Sequence, residues 1–407
     1  MSEPKANREA VAENQLIVCC AQTFIPTAQF EKVKELLERT LDWEYIQRIA
    51  ARNGVLSLIA RNLDKHFRES IPDDVSFTLR EHNNANLQRN LFLTSNLIEV
   101  AELFETNGIP VLPFKGPLLA AQAYGDLSYR TYGDLDILVQ PKDLEAAVNL
   151  LQGKGYTALS SIGWLNKTNW NVSSRKDIYF RSADGQINLE LHWKLSGSHF
   201  ALPFEMDRLW ERLETIDIGG SELRTLRFDD LLIYLCMHGS RHSWERFAWV
   251  CDINELLRAQ ETVDWDQLLM KARALGCENV LGLGLYLIHR FFGRNFEFQG
   301  WEKILSDRVF IDLAEEIRSK LFSDQPVPFE IGDRYLYHLK LKENRLDRSK
   351  LHLHYALWYL RIIFTPKETD RSVFHFPPWL QPLYYVMRPL RLLYTYKMKP
   401  KKAADRN

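Results

Sequence analysis

The sequence predicts a mostly helical α+β protein in which a small mixed β-sheet is flanked by N-terminal and C-terminal helical regions. Three observations predict this class. Apolar residues recur every three or four positions through residues 16–108. A short central stretch then shows period-two alternation, and the helical period returns from about Phe204. The expected divisions are an N-terminal helical region (1–108), an α/β core (109–195), a helical domain (196–322) and a C-terminal helical and aromatic region with a basic tail (323–407).

The N-terminal region shows two helical patterns. "FEKVKELLERTLDWEYIQRIAARNGVLSLIARNL" repeats apolar residues at helical intervals, and "TLREHNNANLQRNLFLTSNLIEVAELFETNG" does so for longer, ending at Gly108. Glycine just after the last periodic residue is a common helix stop. We therefore expect helices and no strands before residue 109.

The central stretch alternates strand and helix signals. "IPVLPF" is a short apolar run, "PLLAAQAYG" is a brief helix entered through a proline, and "DLDILV" has period two. "QPKDLEAAVNLLQGKG" is a helix with proline and acids in its first turn. "KDIYFRSADGQINLELHW" contains two alternating runs around Ala183-Asp184-Gly185, which indicates a β-hairpin. We expect strands near residues 109, 134, 176 and 186.

Two aspartates open the strand "DLDILV". Alternate side chains of a strand face opposite ways, so Asp134 and Asp136 share one face while Leu135, Ile137 and Val139 fill the core beneath. Two neighbouring carboxylates repel each other, so either solvent or a cation must offset their charge.

A third acid has the right phase on the downstream hairpin. In "INLELHW", Asn188, Glu190 and His192 alternate with apolar residues, so Glu190 is expected on a neighbouring strand with its side chain on the face of the aspartates. Three carboxylates there would form a hard-oxygen site for Mg²⁺, and such a site can hold two ions that clamp the attacking and leaving oxygens of a phosphoryl or nucleotidyl transfer. His192 either orients a carboxylate or acts as a base, or it is a satisfied histidine at the edge of the site.

A phosphate-binding turn is expected upstream, at "FKGP". Backbone N–H groups at the start of a helix can receive phosphate, and Gly116 would let the backbone approach closely. Lys115 adds a point charge for a triphosphate, and Arg130 is a second phosphate contact. Taken singly, the Lys-Gly pair is an ordinary turn and Arg130 a solvated side chain. The ordered set of strand, turn, helix, Asp-x-Asp strand and later acid favours a metal-dependent phosphate site.

"HGSRHSWERFAWVCD" carries a second polar pattern. His238, His242 and either Glu245 or Arg246 fall on one helical stripe, which continues to Trp249 and Asp252. Two histidines four apart have zinc spacing, but a metalloprotease helix would carry Glu directly after the first histidine, where this chain has Gly239. The stripe is therefore expected either to contact substrate or nucleotide through His238, His242 and Arg246, or to pack the helix on the α/β core.

The composition limits which partners and which cellular location are expected for the protein. Hydrophobic residues make up 46% and charged residues 26% of the chain, and the net charge is -1, so no global field attracts nucleic acid. From Arg388 onward, the tail has seven basic residues and a single acid. Such a tail is compatible with nucleic acid as a partner, but no motif in the sequence indicates one. Five cysteines without CxxC spacing are expected to be reduced, and no apolar stretch reaches the ~20 residues that span a bilayer. We expect a cytoplasmic protein.

The quoted motifs resemble those of the nucleotidyltransferase superfamily typified by DNA polymerase beta and the kanamycin nucleotidyltransferases. "FKGPLLAAQAYGDLSYRTYGDLDILVQPKDLEAAVNLL", "LELHW" and "CMHGSRHSWERFAWVCDI" are more closely similar to the bacterial uncharacterised nucleotidyltransferases, over about residues 30–300. The resemblance implies that Asp134, Asp136 and Glu190 bind metal, with Lys115 and Gly116 near the triphosphate. The superfamily usually has Gly-Ser in this turn, whereas the closer group has Lys-Gly.

The sequence-based hypothesis is a nucleotidyltransferase that moves a nucleoside monophosphate from an NTP to an unidentified small-molecule, peptide or protein acceptor. Two alternatives stay open. One is a non-catalytic nucleotide-binding regulator of the same fold, although an unused acid triad would keep its repulsion and gain nothing. The other is a glycosyltransferase whose Asp-x-Asp holds a nucleotide-sugar, which would need a parallel sheet upstream of residue 109.

Overall fold

The computed structural model describes residues 10–159, 176–197, 204–325, 331–343, 345–366, 370 and 377–398. The chain divides into two compact units, Met1–Glu343 and Asn344–Asn407. Most described residues are helical, and the strands form one small mixed sheet and one hairpin. The α+β, mostly helical class expected from the sequence is confirmed.

Five helices precede the sheet. They are α1 (Val11–Cys20), α2 (Thr27–Leu37), α3 (Trp43–Arg52), α4 (Leu56–His66) and α5 (Asp73–Thr106). Asp42 caps α3, because its side chain accepts a hydrogen bond from the Tyr45 backbone N–H at 2.9 Å. Residues 10–108 of the described chain contain no strand. The upstream sheet that the glycosyltransferase alternative needs is therefore not found there.

The central sheet has five short strands. They are β1 (Val111–Pro113), β2 (Asp134–Val139), β3 (Thr157–Ala158), β4 (Asp177–Arg181) and β5 (Asn188–His192). The strand order is β1-β2-β5-β4-β3. β2 and β5 are parallel, and the other neighbouring pairs are antiparallel. The hairpin expected around Ala183-Asp184-Gly185 is the β4–β5 pair.

Two helices connect these strands. A short helix, α6 (Gly116–Leu119), continues into a single π-helical turn at Ala120–Tyr124 and links β1 to the loop before β2. The second, α7 (Leu144–Gly153), follows β2 and a 3₁₀ turn. The brief proline-entered helix and the helix after "DLDILV" are both confirmed.

A β-hairpin interrupts the region from residue 204 that the sequence analysis described as continuously helical. Strands β6 (Glu214–Ile218) and β7 (Ser221–Thr225) pair antiparallel around Gly219 and Gly220, whose φ angles are +63° and +83°. A two-residue loop with both φ angles positive is the type I′ connection that glycine favours. The purely helical expectation for this stretch was therefore wrong, and the Gly-Gly pair between alternating runs is its physical reason.

Helices form the rest of the first unit. They are α8 (Met206–Trp210), α9 (Phe228–Arg241), α10 (Ala248–Ala259), α11 (Trp265–Ala274), α12 (Glu278–Phe292), α13 (Trp301–Ser306), α14 (Arg308–Leu321) and α15 (Ile331–Leu341). Together with α1–α4 they enclose one large apolar core, in which Leu16 and Ile49 are buried with Leu235 and Leu283. A second core lies among the sheet, the latter half of α5 and α7.

The second unit contains α16 (Arg345–Phe364) and α17 (Leu383–Met398). Within it, Asp370 pairs with Arg388 and Arg391, two of the basic residues assigned to the tail. Residues 399–407, the rest of that tail, lie outside the described residues. Over the described part of the chain, no helix is both long enough and apolar enough to cross a bilayer. All five cysteines are free thiols, and four of them are buried.

Candidate active site

Asp136 and Glu190 stand directly opposite each other on the parallel strands β2 and β5. Paired residues of neighbouring strands project to the same face of a sheet, so the two carboxylates are neighbours. Asp136 is almost fully buried, and its side chain is only 2% exposed. Asp134 lies two residues earlier on β2, on the same face of the sheet and opposite Asn188. The expected phase between the Asp-x-Asp strand and the later acid is present in the structure.

His192 completes a tight three-residue group with these acids. Its Nε2 lies 3.0 Å from Asp136 Oδ1 and 3.2 Å from Glu190 Oε2. One ligand atom of each of the three residues lies within 4.8 Å of the others, which is close enough for a shared metal ion. Asp134 is outside this group, although it lines the same cavity. The structure therefore brings the imidazole, rather than the first aspartate, into the compact donor set.

Lys115 holds the buried carboxylate of Asp136. Its Nζ lies 2.8 Å from Asp136 Oδ1, and its side chain is 14% exposed. Burial alone would raise the pKa of Asp136, but the charge of Lys115 and the hydrogen bond from His192 outweigh it and lower that pKa. The pKa of Lys115 is correspondingly raised by Asp136 in spite of its burial. Both groups are therefore charged at neutral pH.

The pKa of Asp134 is shifted in the opposite direction from that of Asp136. Burial and then repulsion by Asp136 raise its pKa, and Lys115 offsets only part of this effect. Asp134 has no ion pair among the described residues, and a partly buried carboxylate of this kind gains free energy from an added cation. Asp134 is therefore a candidate ligand for a bound cation.

Gly116 fixes the turn between β1 and α6. Its φ is +52°, a left-handed conformation that glycine adopts without strain, and a Cβ at this position would lie 3.3 Å from the carbonyl oxygen of Asp134. The turn therefore packs directly on the start of β2. This contact brings Lys115 and the aspartates together although about twenty residues separate them.

Arg130 is held by Asp252 of α10. Its Nε and Nη2 donate to Asp252 at 2.8 and 3.0 Å, and the Tyr124 hydroxyl donates to the same carboxylate at 2.8 Å. The Asp252 side chain is 1% exposed, so this anchor is buried. Arg130 Nη1 is buried and has no hydrogen-bond partner in the described chain. The guanidinium is thus fixed by two of its nitrogens and keeps a third for a ligand.

The polar stripe of "HGSRHSWERFAWVCD" lies on two helices rather than one, so the single-helix expectation was wrong. α9 ends at Arg241, and Ser243 and Trp244 have positive φ angles of 53° and 54°. Trp244 is fully buried beneath Gly239, where a Cβ would meet its ring at 2.5 Å. Packing of this indole thus compensates for an unfavourable backbone that ends the helix.

His238, His242 and Trp249 nevertheless form one aromatic cluster on the cavity wall. Their ring centroids lie 4.8 to 5.5 Å apart. Burial lowers the pKa of both histidines, that of His242 to about 3 with help from the charge of Arg241. Both imidazoles are therefore neutral at pH 7. They belong to no metal-binding group among the described residues.

One cavity of about 290 Å³ joins all these parts. Its walls include the residues assigned to the site from the sequence except His192, and also Trp249 and Asp252 of the polar stripe. They include further residues that the sequence analysis did not name, among them Lys176, Tyr179 and Arg241. Tyr179 stands opposite Glu190 on β4, so the period-two alternation of "KDIYFR" contains the signal for it. Arg241 carries no comparable local signal.

Comparison with known proteins assigns the family. A family model described as uncharacterised nucleotidyltransferase matches residues 39–293, which span the whole cavity. No curated protein matches the chain. Among solved structures it is similar to an antigenic nucleotidyltransferase-like protein from Paracoccidioides brasiliensis, with 14% identity over 45% of this chain and 85% of that chain and a TM-score of 0.31. Since the family model covers more than half of the sequence, the chain belongs to the uncharacterised nucleotidyltransferase family.

Proposed function

We propose that this protein is a metal-dependent nucleotidyltransferase that transfers a nucleoside monophosphate from an NTP to an acceptor and releases pyrophosphate. The observation that carries the proposal is the parallel register of β2 and β5, which puts Asp136 beside Glu190 within ion-pairing distance of Lys115. Family membership supports the same reaction class. The five cysteines are free, in keeping with the cytoplasmic location that we also propose.

The donor atoms suit a hard divalent cation. Asp136 and Glu190, with Asp134 beside them, would hold Mg²⁺, with two ions expected, because carboxylate oxygens are its preferred protein ligands. When bound, the metal would neutralise charge on the transferred phosphoryl group and polarise it. The raised pKa of Asp134 supports this fit, since Lys115 and Arg130 offset only part of the effect of its burial and of its repulsion by Asp136.

Glu190 is the residue that we assign as general base. It is less buried than Asp136 and lines the cavity, so an acceptor hydroxyl can reach it. It would take the hydroxyl proton as the acceptor oxygen forms its bond to the α-phosphorus. The bond between the α-phosphorus and the bridging oxygen to the β-phosphorus then breaks, and that oxygen leaves with pyrophosphate. His192, which touches both acids, orients their carboxylates.

The β1–β2 side of the cavity would receive the triphosphate. Lys115 and the free Nη1 of Arg130 supply positive charge there, and Gly116 allows close approach of the backbone. Because Asp252 fixes Arg130 through two nitrogens, little side-chain entropy is lost when phosphate binds. We assign His238, His242 and Arg246 to contacts with nucleotide or acceptor on the helical wall.

Two measurements test the proposal. Isothermal titration of Mg-ATP and Mg-GTP into wild type and Asp136→Asn should show nucleotide binding that the variant loses. Asp126→Asn is a matched control, because Asp126 pairs with Arg61 outside the cavity. Incubation with α-phosphate-labelled NTPs and cell extract, followed by mass spectrometry, should then show a Mg²⁺-dependent nucleotidyl adduct.

The outcomes separate the alternatives. Equal nucleotide binding by wild type and Asp136→Asn, with both folded by circular dichroism, would refute the metal assignment. Nucleotide binding without any adduct would instead favour the non-catalytic nucleotide-binding regulator.

A further inference from the structure

Two arginines of the cavity have no counter-ion among the residues that the structure describes. Lys115 pairs with Asp136, Arg130 with Asp252, and Lys176 with Asp177. The guanidinium groups of Arg241 and Arg246 line the same cavity but make no ion pair or hydrogen bond with any residue that the structure describes. Neither guanidinium is therefore held at contact distance by an acid of the described cavity wall.

These two arginines lie on the helical wall, where Arg241 is half-buried and Arg246 is exposed. Arg241 is the last residue of α9, and Arg246 stands between α9 and α10. The charge of Arg241 acts on Tyr179 and Lys176 of the β4 edge, and Tyr179 is paired directly with Glu190. Lys115, by contrast, contacts Asp136 of β2, and Arg130 contacts Asp252 of α10.

Asp252, the acid that the described part of the helical wall presents to the cavity, is already paired with Arg130. His238 and His242 are neutral at pH 7 because burial lowers their pKa values. Glu245, the nearest acid in sequence, pairs with Arg334 and does not line the cavity. An unpaired guanidinium in a partly enclosed site is stabilised by an oxyanion, which it can bind through two parallel N–H groups.

We propose that Arg241 and Arg246 bind a phosphomonoester of the acceptor, so that a hydroxyl of the same molecule lies at Glu190. This inference rests on the proposed function, because the triphosphate of the NTP already has Lys115 and Arg130. Two guanidinium charges match the near-dianionic charge of a phosphomonoester at neutral pH. The acceptor class is accordingly a phosphorylated alcohol.

Inorganic phosphate is a direct probe of this subsite. It would be titrated into full-length protein without nucleotide, and again after saturation with Mg²⁺ and α,β-methylene-ATP or α,β-methylene-GTP, which block the triphosphate side. Phosphate should bind the nucleotide-loaded wild type, and its Kd should rise about tenfold or more in Arg241→Gln and in Arg246→Gln, since charge-assisted contacts of this kind are worth about 1.5–3 kcal/mol. Arg241→Lys should lose less affinity than Arg241→Gln because it keeps the charge.

Arg224→Gln is the matched control, because Arg224 is an exposed arginine of β7 outside the cavity. Its phosphate affinity should equal that of wild type. Acetate titrated in the same way should bind more weakly than phosphate, and equal binding would overturn the phosphomonoester assignment.

The result also distinguishes this inference from the proposed function. If the nucleotide analogues fail to bind but phosphate binding still depends on both arginines, the proposed function fails and the anion subsite stands. If the analogues bind but phosphate does not, or if phosphate affinity is unchanged in both glutamine variants, the subsite is overturned and the proposed function stands.

Discussion

Lys115 Nζ lies 2.8 Å from Asp136 Oδ1, and both side chains are largely withdrawn from solvent. A buried ion pair gains little net stability when it forms, but removal of one partner leaves an uncompensated charge. Nucleotide and metal would bring their own charges to this pair. The contact therefore links the stability of the protein to the chemistry proposed for the site.

Lys115→Met should destabilise the protein. Loss of the ammonium leaves Asp136 buried with only His192 beside it, which should cost about 3 kcal/mol in the free energy of unfolding. Urea unfolding followed by tryptophan fluorescence would measure this change, and added Mg²⁺ should recover more stability in the variant than in wild type. Lys154→Met is the control, because the exposed Lys154–Glu99 pair at 3.8 Å should contribute less than about 1 kcal/mol. Equal effects of the two variants would contradict the role of the buried pair.

Gly116→Ala should be destabilising and should weaken nucleotide binding. The φ of +52° is unfavourable for alanine, and its Cβ would press on the Asp134 carbonyl at 3.3 Å, so we expect a loss of about 1–2 kcal/mol. The control is Gly133→Ala in the same loop, where φ is not positive and no atom lies within 4 Å of the new Cβ. Urea midpoints and Mg-ATP titrations of both variants would check this. Equal stability and equal Mg-ATP affinity of the two variants would contradict the expected backbone strain at Gly116.

Gly239→Ala should disrupt the helical wall. The new Cβ would meet the fully buried ring of Trp244 at 2.5 Å, and overpacking of this kind typically costs about 1–3 kcal/mol. The change should also shift the tryptophan emission spectrum, because Trp244 must move. In contrast, Gly153→Ala at the end of α7 meets nothing within 4 Å and should be neutral or stabilising by less than about 1 kcal/mol. A Gly239→Ala protein with wild-type stability and emission would show that the ring is not packed as described.

The core of the site follows from local sequence patterns. Period-two alternation alone puts Asp134 and Asp136 on one face and gives Glu190 the same phase, and the structure pairs Asp136 with Glu190 in register. Such patterns are informative because a strand with one buried face can hold only one register. The Lys-Gly-Pro turn likewise predicts a helix start beside Lys115, and the structure begins α6 at Gly116.

The helical wall could not be predicted in the same way. Arg130 and Asp252 are 122 residues apart, and only the packing of α10 against the turn after α6 brings them together. The break between α9 and α10 occurs at Ser243 and Trp244, neither of which is a helix breaker by propensity. Tertiary packing of the Trp244 indole outweighs the local helix propensity. The sequence pattern that predicts one helix therefore folds as the two helices α9 and α10.

Glu190→Gln should separate binding from transfer. The amide keeps the size and hydrogen-bonding shape of the side chain but cannot accept the acceptor proton, so the labelled-adduct yield should fall about 10²–10⁴-fold. Nucleotide affinity should fall far less than in Asp136→Asn. Glu145→Gln on the exposed face of α7 should leave both quantities unchanged. If Glu190→Gln transfers label as well as wild type, the base must be another group.

His242 should make the first unit acid-sensitive. Burial, followed by the charge of Arg241, lowers its pKa from 6.5 to about 3, so the unfolded chain binds this proton between pH 6.5 and pH 3 and the folded chain does not. Stability from this group is therefore present above pH 6.5 and declines as the pH falls, by about 2 kcal/mol between pH 7 and pH 5. His242→Asn cannot take up the proton and should lose about that much less stability over the same interval. Urea unfolding of both proteins at pH 7 and pH 5 would measure the loss of stability of each over this interval. The contributions of the other histidines are the same in both proteins and cancel when the two losses are subtracted. An identical pH dependence would show that His242 is solvated and protonates freely in the folded protein.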